Sequence, residues 1–539
     1  MALIDVGDRA VAVVVEDADA ASRMAAVRGL AVAIHEADLP GVTDVVPSPG
    51  RVTVVYDPLR MSSHASLRAR IEAVEAAGVG AVASGDVARH EIPVCYGGDL
   101  GPDLDEVCTI HGIDSDRFVA LHTEPDYLVE AIGFLPGFGY FTGLPARLAT
   151  PRRTTPRRVV PAGSVGIGGG QTGAYPCASP GGWNLVGATP TRLFDASRPR
   201  PALLAVGDRV RFVAIDRDEF ERRTSYEVAA TKDVGAVAGT ITVVKPGLFT
   251  TIQDLGRPGH RAAGVPLSGA ADPVSLQLAN RLVGNAATAA ALEITLLGPD
   301  LRFERDAVVA LAGAMFPGMP SAAAVSVCAG ETLSLGHATT GCRGYLAVAG
   351  GIDVQEVLGS RSTFSPARLG GLRGLPLAAG DALPVGRARG VASLSGVEGR
   401  PSLVGPMAET VTLRIIPGEQ FAFAGESLWS TTHTTSSRSD RMGVRLDGPP
   451  LGGGDTAGSL PSVAVLPGTV QLPPDGKPIV LLADAQTIGG YPVIGHVIAA
   501  DLPLVAQLRP GDSVHWREAT IDEAHRALRD ADDGRGGAT

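Results

Sequence analysis

Two short motifs occur twice in this chain and in the same order, and this repeat constrains the fold more strongly than any other feature. The motif QTGAYP (residues 171–176) is followed by GDRVRF, and the motif QTIGGYP (residues 486–492) is followed by GDSVHW. Repeats of this kind mark copies of one supersecondary unit. The sequence therefore predicts related β modules in the two halves of the chain.

A third Gly-Asp turn, in GDALPV at residues 380–385, precedes a short apolar run at the end of the block between the two repeats. We therefore predict three copies of one barrel-like architecture. If QTGAYP and QTIGGYP are aligned, Tyr175 and Tyr491 occupy equivalent positions in the first and third copies.

Composition favours strands and turns. Short runs of Val, Ala and Leu are broken by 69 glycines and 40 prolines, which is typical of many strands joined by turns. A chain of 539 residues also exceeds what one hydrophobic core supports. We expect a mainly β protein with a small α+β N-terminal domain. The predicted divisions are an α+β domain at 1–88, a β barrel at 89–222, a linker at 223–239, a β module at 240–390, a connector at 391–408, a second β module at 409–518, and a C-terminal helix with a disordered tail at 519–539.

Helix signals are few. Ala-rich stretches at residues 18–33 and 63–77 predict two helices in the N-terminal domain. We predict one helix at residues 126–132 and another at residues 273–282. Asp272, directly before the latter, has the side chain of a helix N-cap, and this structural role competes with a chemical one.

Charge and cysteine content argue against several classes of protein. The net charge of −11 is spread along the chain without a basic stripe, so we expect no nucleic-acid partner. The five cysteines form no CxxC pair, so neither a zinc site nor a disulfide framework is expected. No stretch has the length of a membrane span and the N-terminus does not resemble a signal peptide, which predicts a cytoplasmic protein without membrane contact.

The densest motif region is GSVGIGGGQTGAYP, which contains Gly168, Gly169, Gly170 and Gln171. Glycines allow backbone amides to approach an anion or carboxylate closely. The same glycines also suit tight hairpins at the rim of a barrel. Four arginines just upstream offer either a phosphate contact or a solvated basic loop: Arg152, Arg153, Arg157 and Arg158.

Other candidate residues are isolated. His122 is a candidate general base, although a lone histidine is more often structural. Asp254 and Arg257 lie three residues apart in IQDLGRPG. Asp484 lies at the end of a predicted strand, where a buried ion pair explains an acidic residue as well as catalysis does. Because no Walker, GxSxG, HExxH or dinucleotide motif is present, these residues alone indicate no more than a multi-barrel protein with glycine-lined clefts.

At these motifs the chain resembles known families over nearly its whole length. Residues 1 to about 222 resemble the KipI family, also called the B subunit of 5-oxoprolinase or allophanate hydrolase subunit 1, through GFLPGFGYFTGLP, PAGSVGIGGGQTGAYP and SPGGWNLVGATPTRLFD. Residues 240 to about 518 resemble the KipA family, the C subunit of 5-oxoprolinase or allophanate hydrolase subunit 2, through IQDLGRPG, LANRLVGN, SDRMGVRLDGPPL and ADAQTIGGYP. Together they also resemble the carboxyltransferase part of urea carboxylase.

The resemblance implies a fusion of two subunits with cyclophilin-like β barrels. It further implies ATP-dependent activation of the lactam 5-oxoproline for hydrolysis to L-glutamate, with ATP and Mg²⁺ entering as substrate. A separate partner that resembles the family's A subunit would hydrolyse the activated intermediate, so this chain alone would show little turnover. A homo-oligomer is compatible with the resemblance.

Under this function we expect the working cleft between the two halves, without a metal ligated by side chains. Arg257 and Asp272 are predicted to act in catalysis, with His122 as a proton carrier. The residues predicted to contact phosphate or substrate are Gly168, Gly169, Gly170, Gln171, Tyr175 and Asp484.

Two alternatives remain. The first is the carboxyltransferase component of a biotin-dependent urea carboxylase or allophanate hydrolase system. None of the three lysines, Lys232, Lys245 and Lys477, lies beside a methionine as a biotinylated lysine does, so no biotin is expected on this chain. The second alternative is a regulatory module that controls a histidine kinase, as the KipI name suggests.

Overall fold

The computed structural model describes residues 2–16, 19–77, 87–230, 240–388, 410–452 and 460–536. The N-terminal domain is a four-stranded antiparallel sheet, in the order β1-β2-β4-β3, with two helices packed on it. Asp19 and Ser63 cap these helices by accepting the backbone N–H groups of Ser22 and Ser66. The elements are β1 Ala2–Asp5, β2 Ala10–Val14, α1 Ala20–Glu36, β3 Val42–Ser48, β4 Arg51–Tyr56 and α2 His64–Ala76.

The second unit is a closed barrel of seven strands in the order β10-β7-β6-β13-β5-β12-β9, with β8 and β11 paired beside it. Its elements are β5 Arg89–Tyr96, α3 Leu104–His111, α4 Ser115–Thr123, β6 Tyr127–Ile132, β7 Gly139–Thr142, β8 Arg157–Val160, β9 Ser164–Gly168, β10 Gln171–Ala174, β11 Ser179–Gly181, β12 Asn184–Ala188, β13 Arg209–Ala214 and α5 Arg217–Ala230. Residues 126–132, predicted as a helix, form strand β6. The predicted linker at 223–239 begins inside helix α5, and residues 231–239 lie outside the described residues.

The third unit is built from two sheets, one of four strands (β20-β17-β14-β22) and one of five (β15-β16-β21-β18-β19), which enclose an apolar core. Its strands do not pair into a closed barrel in the described residues, so the expectation of three copies of one barrel-like architecture is wrong for this unit. Its elements are β14 Ile241–Lys245, β15 Phe249–Gln253, α6 Pro273–Leu282, β16 Ala291–Thr295, β17 Asp300–Phe303, β18 Ala307–Met315, β19 Ala324–Val327, β20 Thr332–Ser334, β21 Thr340–Val348 and β22 Ala382–Leu383.

The fourth unit is a second closed barrel in the order β23-β30-β27-β28-β25-β24-β31, with β26 and β29 paired beside it. The connector predicted at 391–408 lies outside the described residues, whereas the C-terminal helix reaches residue 536. The elements are β23 Thr410–Pro417, α7 Ser427–Ser430, β24 His433–Thr435, β25 Gly443–Asp447, β26 Val463–Ala464, β27 Thr469–Gln471, β28 Ile479–Leu481, β29 Ile488–Gly489, β30 Val493–Val497, α8 Leu502–Gln507, β31 Ser513–Glu518 and α9 Ile521–Gly536.

The two barrels share one topology. In each, the first strand pairs in parallel with the last, β5 with β13 and β23 with β31, and every other neighbouring pair is antiparallel in the same relative order. The small side sheets β8-β11 and β26-β29 occupy corresponding places along the chain. The predicted mainly β fold with repeated barrel modules is therefore confirmed for the first and third β blocks.

The register of the repeat differs from the predicted one. Tyr175 directly follows β10, whose counterpart is β28, whereas Tyr491 follows β29, the counterpart of β11. Trp183, two residues after β11, is the topological equivalent of Tyr491, two residues after β29. The matching segments are therefore PGGWNLVG and IGGYPVIG, and the prediction that Tyr175 and Tyr491 are equivalent is wrong.

Contacts distant in sequence join the two halves of the chain. Asp8 in the N-terminal domain accepts the backbone N–H of Ala499 at 2.8 Å, and its backbone carbonyl contacts the ring of His525 at 2.8 Å. Arg51 pairs with Glu419 at 2.8 Å. These contacts fix the N-terminal domain against the second barrel and α9. In the described part of the chain, no helix combines the length and apolar composition needed to cross a membrane.

Candidate active site

A cleft of about 890 Å³ lies between the two barrels. The β9–β10 hairpin, with Gly168, Gly169, Gly170 and Gln171, forms part of one wall. The segment at 486–492 and strands β25 and β28 contribute to the opposite wall. Gln171 of the first motif and most of the second motif, at residues 486–492, therefore line one concave surface, which is the usual setting of a small-molecule site.

The glycine run is a tight hairpin at the rim of the first barrel. Gly168 and Gln171 pair across it, and Gly169 has a φ of +66°, which favours glycine. A Cβ on Gly168 would lie 2.5 Å from the indole of Trp183. The backbone N–H of Gly169 donates to the carbonyl of Thr150 at 2.7 Å and is therefore not available to a ligand. A Cβ built on Gly170 would have no atom within 4 Å, so this residue faces open space.

Two arginines line the cleft from opposite halves. Arg152 belongs to the first barrel and Arg445 to β25 of the second. Neither forms an ion pair within 4.0 Å among the described residues. The two neighbouring arginines differ, because Arg153 and Arg157 both bind Asp103, at 3.0 and 2.6 Å, and so hold the loop in place.

Glu130 is the acidic residue of the first-barrel wall, and the sequence motifs did not reveal it. The pairing of β6 with β7 shifts register between Val129 and Ala131, which places Glu130 at a bulge. Bulges re-aim side chains and are frequent beside active sites. Burial raises the pKa of Glu130 above its usual 4.5, and Gln171 Nε2 lies 3.5 Å from its carboxylate.

The second-barrel wall carries amides and an exposed ring. Gln486 Nε2 donates to Gln471 Oε1 at 3.4 Å, while Gln471 is buried and its Nε2 has no partner among the described residues. Tyr491 is 47% exposed, an unusual exposure for a large aromatic side chain in this protein. Its ring offers a stacking surface to a planar ligand.

His122 lies inside the first barrel and does not line the cleft. It is fully buried, stacks on Phe212 at 4.7 Å, and its ring nitrogens contact Tyr96 Oη at 2.8 Å and Thr172 Oγ1 at 3.0 Å. Burial lowers its pKa to about 3. The structure therefore gives this histidine the properties of a neutral, satisfied core residue.

Tyr175 and Asp272 also lie away from the cleft lining. Tyr175 is buried against Phe138 and Trp183 beneath the glycine hairpin. Asp272 caps helix α6, accepting the N–H of Ser275 at 3.0 Å and its hydroxyl at 2.6 Å. It also accepts Gln507 Nε2 at 2.8 Å. These contacts use both carboxylate oxygens of Asp272 in packing.

Arg257 is enclosed within the third unit. It is fully buried and its Nη2 donates to the carbonyl of Ser362, whereas its Nε and Nη1 have no partner in the part of the chain that the structure describes. Burial lowers the pKa of Arg257, against the opposing charge of Asp254. Asp254 itself accepts the hydroxyls of Ser360 and Ser362 at 2.6 and 2.5 Å, so it organises this loop.

Asp484 belongs to a buried ion cluster between the third unit and the second barrel. Arg441 donates to Asp484 through Nε at 2.8 Å and also binds Glu293. Ser268 and Tyr345 donate to the two carboxylates, at 2.9 and 2.8 Å. Burial alone would raise the pKa of Glu293, but Arg441 and Arg343 hold it below its usual value. The cluster therefore links the third unit to the second barrel through buried ion pairs. A buried ion pair was one of the two roles that the sequence allowed for Asp484.

Comparison with known proteins gives the family. The model of the carboxyltransferase domain, subdomains C and D, matches residues 1–204, and that of subdomains A and B matches residues 263–518. The 5-oxoprolinase C subunit of Escherichia coli strain K12 is 40% identical over 304 residues, 54% of this chain and 94% of that protein. The chain belongs to the carboxyltransferase-domain family.

This carboxyltransferase-family chain is also similar to the 5-oxoprolinase B subunit of Bacillus subtilis strain 168, with 39% identity over 36% of this chain and 84% of that protein. The crystal structure of TTHA0988 superposes with a TM-score of 0.80 and 36% identity, covering 94% of this chain and 99% of that one. The chain is thus a fusion of B-like and C-like parts of 5-oxoprolinase.

Among the residues predicted to act in the site, the cleft brings together Gly168, Gly169, Gly170 and Gln171, while His122, Arg257, Asp272, Tyr175 and Asp484 lie elsewhere. Glu130 and Arg445 are the residues that sequence reasoning missed. A signal for Glu130 exists, since it is the single charged residue in the apolar run YLVEAI. A charge in such a run has to reach a partner or a solvent-filled cleft.

Proposed function

We propose that this chain combines the B and C subunits of an ATP-dependent 5-oxoprolinase, and that it activates 5-oxoproline in the cleft between the barrels. The observation that carries the proposal is the composition of this cleft: each half contributes one arginine without an ion-pair partner among the described residues, and the halves resemble the two named subunits. A site completed only by both halves gives a reason for their fusion.

The chemistry of a lactam fits such a site. The amide carbonyl of 5-oxoproline is a poor electrophile, and transfer of the γ-phosphoryl group of ATP to the carbonyl oxygen would activate it. A new P–O bond forms while the bond from phosphorus to the β,γ-bridging oxygen breaks, which leaves ADP. Phosphoryl transfer depends on positioning and charge stabilisation more than on covalent work by the protein.

The cleft residues divide into distinct proposed roles. Arg152 and Arg445 would neutralise phosphate oxygens, and Mg²⁺ would arrive with ATP. The ring of Tyr491 would stack on a planar part of the nucleotide. Gln171 and the amide of Gly170 would contact the substrate. Glu130, whose pKa is raised by burial, would exchange a proton with it.

A separate partner, equivalent to the A subunit of 5-oxoprolinase, would receive the activated intermediate and complete hydrolysis. The phosphorylated lactam takes up water, the ring C–N bond breaks with proton transfer to nitrogen, and a second water releases phosphate to leave L-glutamate. We therefore expect the chain alone to turn over little 5-oxoproline. The amino-acid sequence is consistent with a cytoplasmic setting, where ATP is available.

The test is 5-oxoproline-dependent ATP hydrolysis with this partner present, comparing the wild type with Gln171→Ala. We expect a loss of about 10²-fold for Gln171→Ala, as for removal of one transition-state contact. Gln277→Ala, on α6 and outside the cleft lining, serves as the matched control and should retain full activity. Equal rates for Gln171→Ala and the wild type would remove the hairpin from the site.

A second candidate function is carboxyl transfer in a biotin-dependent system, because both matching family models describe carboxyltransferase subdomains. Biotin would have to come from a separate carrier, since no lysine of this chain lies beside a methionine. The cleft would then receive the ureido ring of biotin, and the amides of Gln471 and Gln486 would suit its carbonyl and N–H groups. Bicarbonate-dependent carboxylation of urea with an added carrier would favour this function.

A further inference from the structure

A second cavity, of about 340 Å³, lies where the N-terminal domain, the third unit and the fourth unit meet. Strands β3 and β4, the start of α6, the second barrel and helix α9 all contribute to its wall. Most of its lining side chains are apolar, among them Leu255, Leu267, Leu466, Leu482 and Leu502. Its volume suits a small molecule, and its lining is distinct from that of the cleft between the barrels.

Three residues of this wall each carry a buried polar group that has no hydrogen-bond partner among the described residues. These groups are Nε of Arg9, the hydroxyl of Tyr56 and Nε of Arg261. Tyr56 and Arg261 are only 2% and 3% exposed. Leaving a buried donor unsatisfied costs about 1–3 kcal/mol. Three such donors around one cavity therefore indicate that an acceptor belongs there.

The guanidinium group of each arginine is held in place through its Nη2 atom. Arg9 donates through Nη2 to the carbonyl of Pro467, and Arg261 donates through Nη2 to the carbonyl of Val465. These two acceptors lie in the same short segment of the second barrel. The guanidinium groups are thus anchored side by side, with one from the N-terminal domain and the other from the third unit.

The charges of these arginines are only partly compensated. Arg9 lies 3.9 Å from Asp8, and no carboxylate of the described residues forms an ion pair with the Arg261 guanidinium. Asp44 instead accepts the backbone N–H of Arg261 at 2.9 Å. Burial lowers the pKa of Arg261 to about 10; the nearby carboxylate of Asp44 opposes this shift, and the charge of Arg9 adds to it. Two neighbouring cations that are largely withdrawn from water favour an anion between them.

We propose that this cavity binds a small carboxylate with an apolar body, held by Arg9, Tyr56 and Arg261. The carboxylate oxygens accept hydrogen bonds from the three donors, and the apolar body packs against the leucines. Because Arg9 and Tyr56 belong to the B-like half and Arg261 to the C-like half, the ligand bridges the two halves. The site is independent of the chemistry in the cleft between the barrels.

Ordered water alone is a poorer match for this cavity. A buried water makes two to four hydrogen bonds, both donating and accepting, and favours polar surroundings. The two guanidinium nitrogens can only donate. Leucine side chains, which cover much of the wall, offer water no partner. A carboxylate group would accept hydrogen bonds from the three donors and balance the charge of the arginines, and its apolar body would cover the leucine side chains.

The experiment measures the thermal midpoint and binding heat of the full chain with hexanoate, using hexan-1-ol as the uncharged analogue. We expect hexanoate to raise the midpoint of the wild type and hexan-1-ol to leave it unchanged. Tyr56→Phe removes only the unpartnered hydroxyl and keeps the buried ring, so it should fold normally. It should weaken hexanoate binding about tenfold, the loss of one hydrogen bond to a charged group.

Arg261→Met is the second variant and should abolish the hexanoate shift. Arg302→Met, on β17 with its side chain 55% exposed and outside the cavity, is the matched control and should respond as the wild type does. Equal responses to hexanoate in the wild type, Tyr56→Phe and Arg261→Met would overturn the proposal. So would an absent hexanoate shift in the wild type, or equal shifts with hexanoate and hexan-1-ol.

Discussion

Arg152 of the first barrel and Arg445 of the second line the same cleft from opposite sides, although 293 residues separate them in the chain. Each belongs to a different half of the fusion. Arg153 and Arg157, close by in sequence, are instead neutralised by Asp103. Among the described residues, Arg152 and Arg445 form no ion pair and so remain available to an anionic ligand in the cleft, and the proposed function depends on this pair.

Replacing Arg445 by methionine is expected to weaken ATP binding and to lower coupled turnover about 10²-fold, because a contact to the transferred phosphoryl group is lost. Arg152→Met should have a similar effect. Titration calorimetry with ATP and the coupled assay measure the two quantities. Arg89→Met, with a side chain 79% exposed on β5, is the control and should match the wild type. Wild-type ATP affinity in both cleft variants would contradict the role of the pair.

Glu130→Gln should remove the acid limb of the pH–rate profile. Burial raises the pKa of Glu130 above 4.5, so in the wild type the deprotonated, proton-accepting form is lost as the pH falls through this raised value. The measurement is kcat/KM for 5-oxoproline against pH. Glu91→Gln, at an exposed position on β5, should keep the wild-type profile. An unchanged acid limb in Glu130→Gln would assign it to another group.

Arg441→Met should destabilise the fold by about 3–5 kcal/mol, since it leaves the carboxylates of Glu293 and Asp484 buried without their cation. Urea unfolding measures the free energy of unfolding. Arg438→Met is a close control, because this arginine lies three residues earlier with a side chain 67% exposed, and it should change the stability by less than about 0.5 kcal/mol. A similar decrease in the free energy of unfolding in both variants would contradict a stabilising role for the ion cluster of Arg441, Glu293 and Asp484.

His122 should make the protein less stable in mild acid. Its pKa is about 3 in the folded state and near 6.5 in the unfolded chain, so only the unfolded chain binds the proton between these values. Its contribution to stability is fully present above pH 6.5 and falls by about 1.4 kcal/mol per pH unit as the pH drops towards 3. The free energy of unfolding of His122→Gln should therefore depend less steeply on pH between 6 and 4. A slope equal to that of the wild type would contradict the burial of a neutral histidine.

The fold was predictable where local signals and burial agree. Asp272, directly before Pro273, predicts the start of α6 correctly, since the cap and the fixed proline φ act locally. Residues 126–132 show the opposite case. Their side chains alternate between the core and the outside of the barrel over most of β6, and this tertiary pairing overrides any helical preference.

The site was less predictable than the fold, because local sequence does not indicate which residues of the two barrels lie close together. Sequence alone placed Gly168 to Gln171 in a cleft between the halves, although the glycines serve first to form a hairpin and to accommodate Trp183. The sequence alone did not identify Arg445, because its proposed role depends on its position across the cleft from Arg152. The repeated motifs also gave the wrong alignment of the two barrels. Aligning the identical residues of QTGAYP and QTIGGYP paired Tyr175 with Tyr491, whereas the order of the strands pairs Trp183 with Tyr491.

The decisive experiment is conversion of 5-oxoproline to L-glutamate by the purified chain together with the family's separate A subunit, in the presence of ATP and Mg²⁺. We expect glutamate formation that requires ATP and both proteins, with little product when the second protein is omitted. Failure of this complete system to consume 5-oxoproline, together with bicarbonate-dependent carboxylation of urea once a biotin carrier is added, would contradict the proposed function.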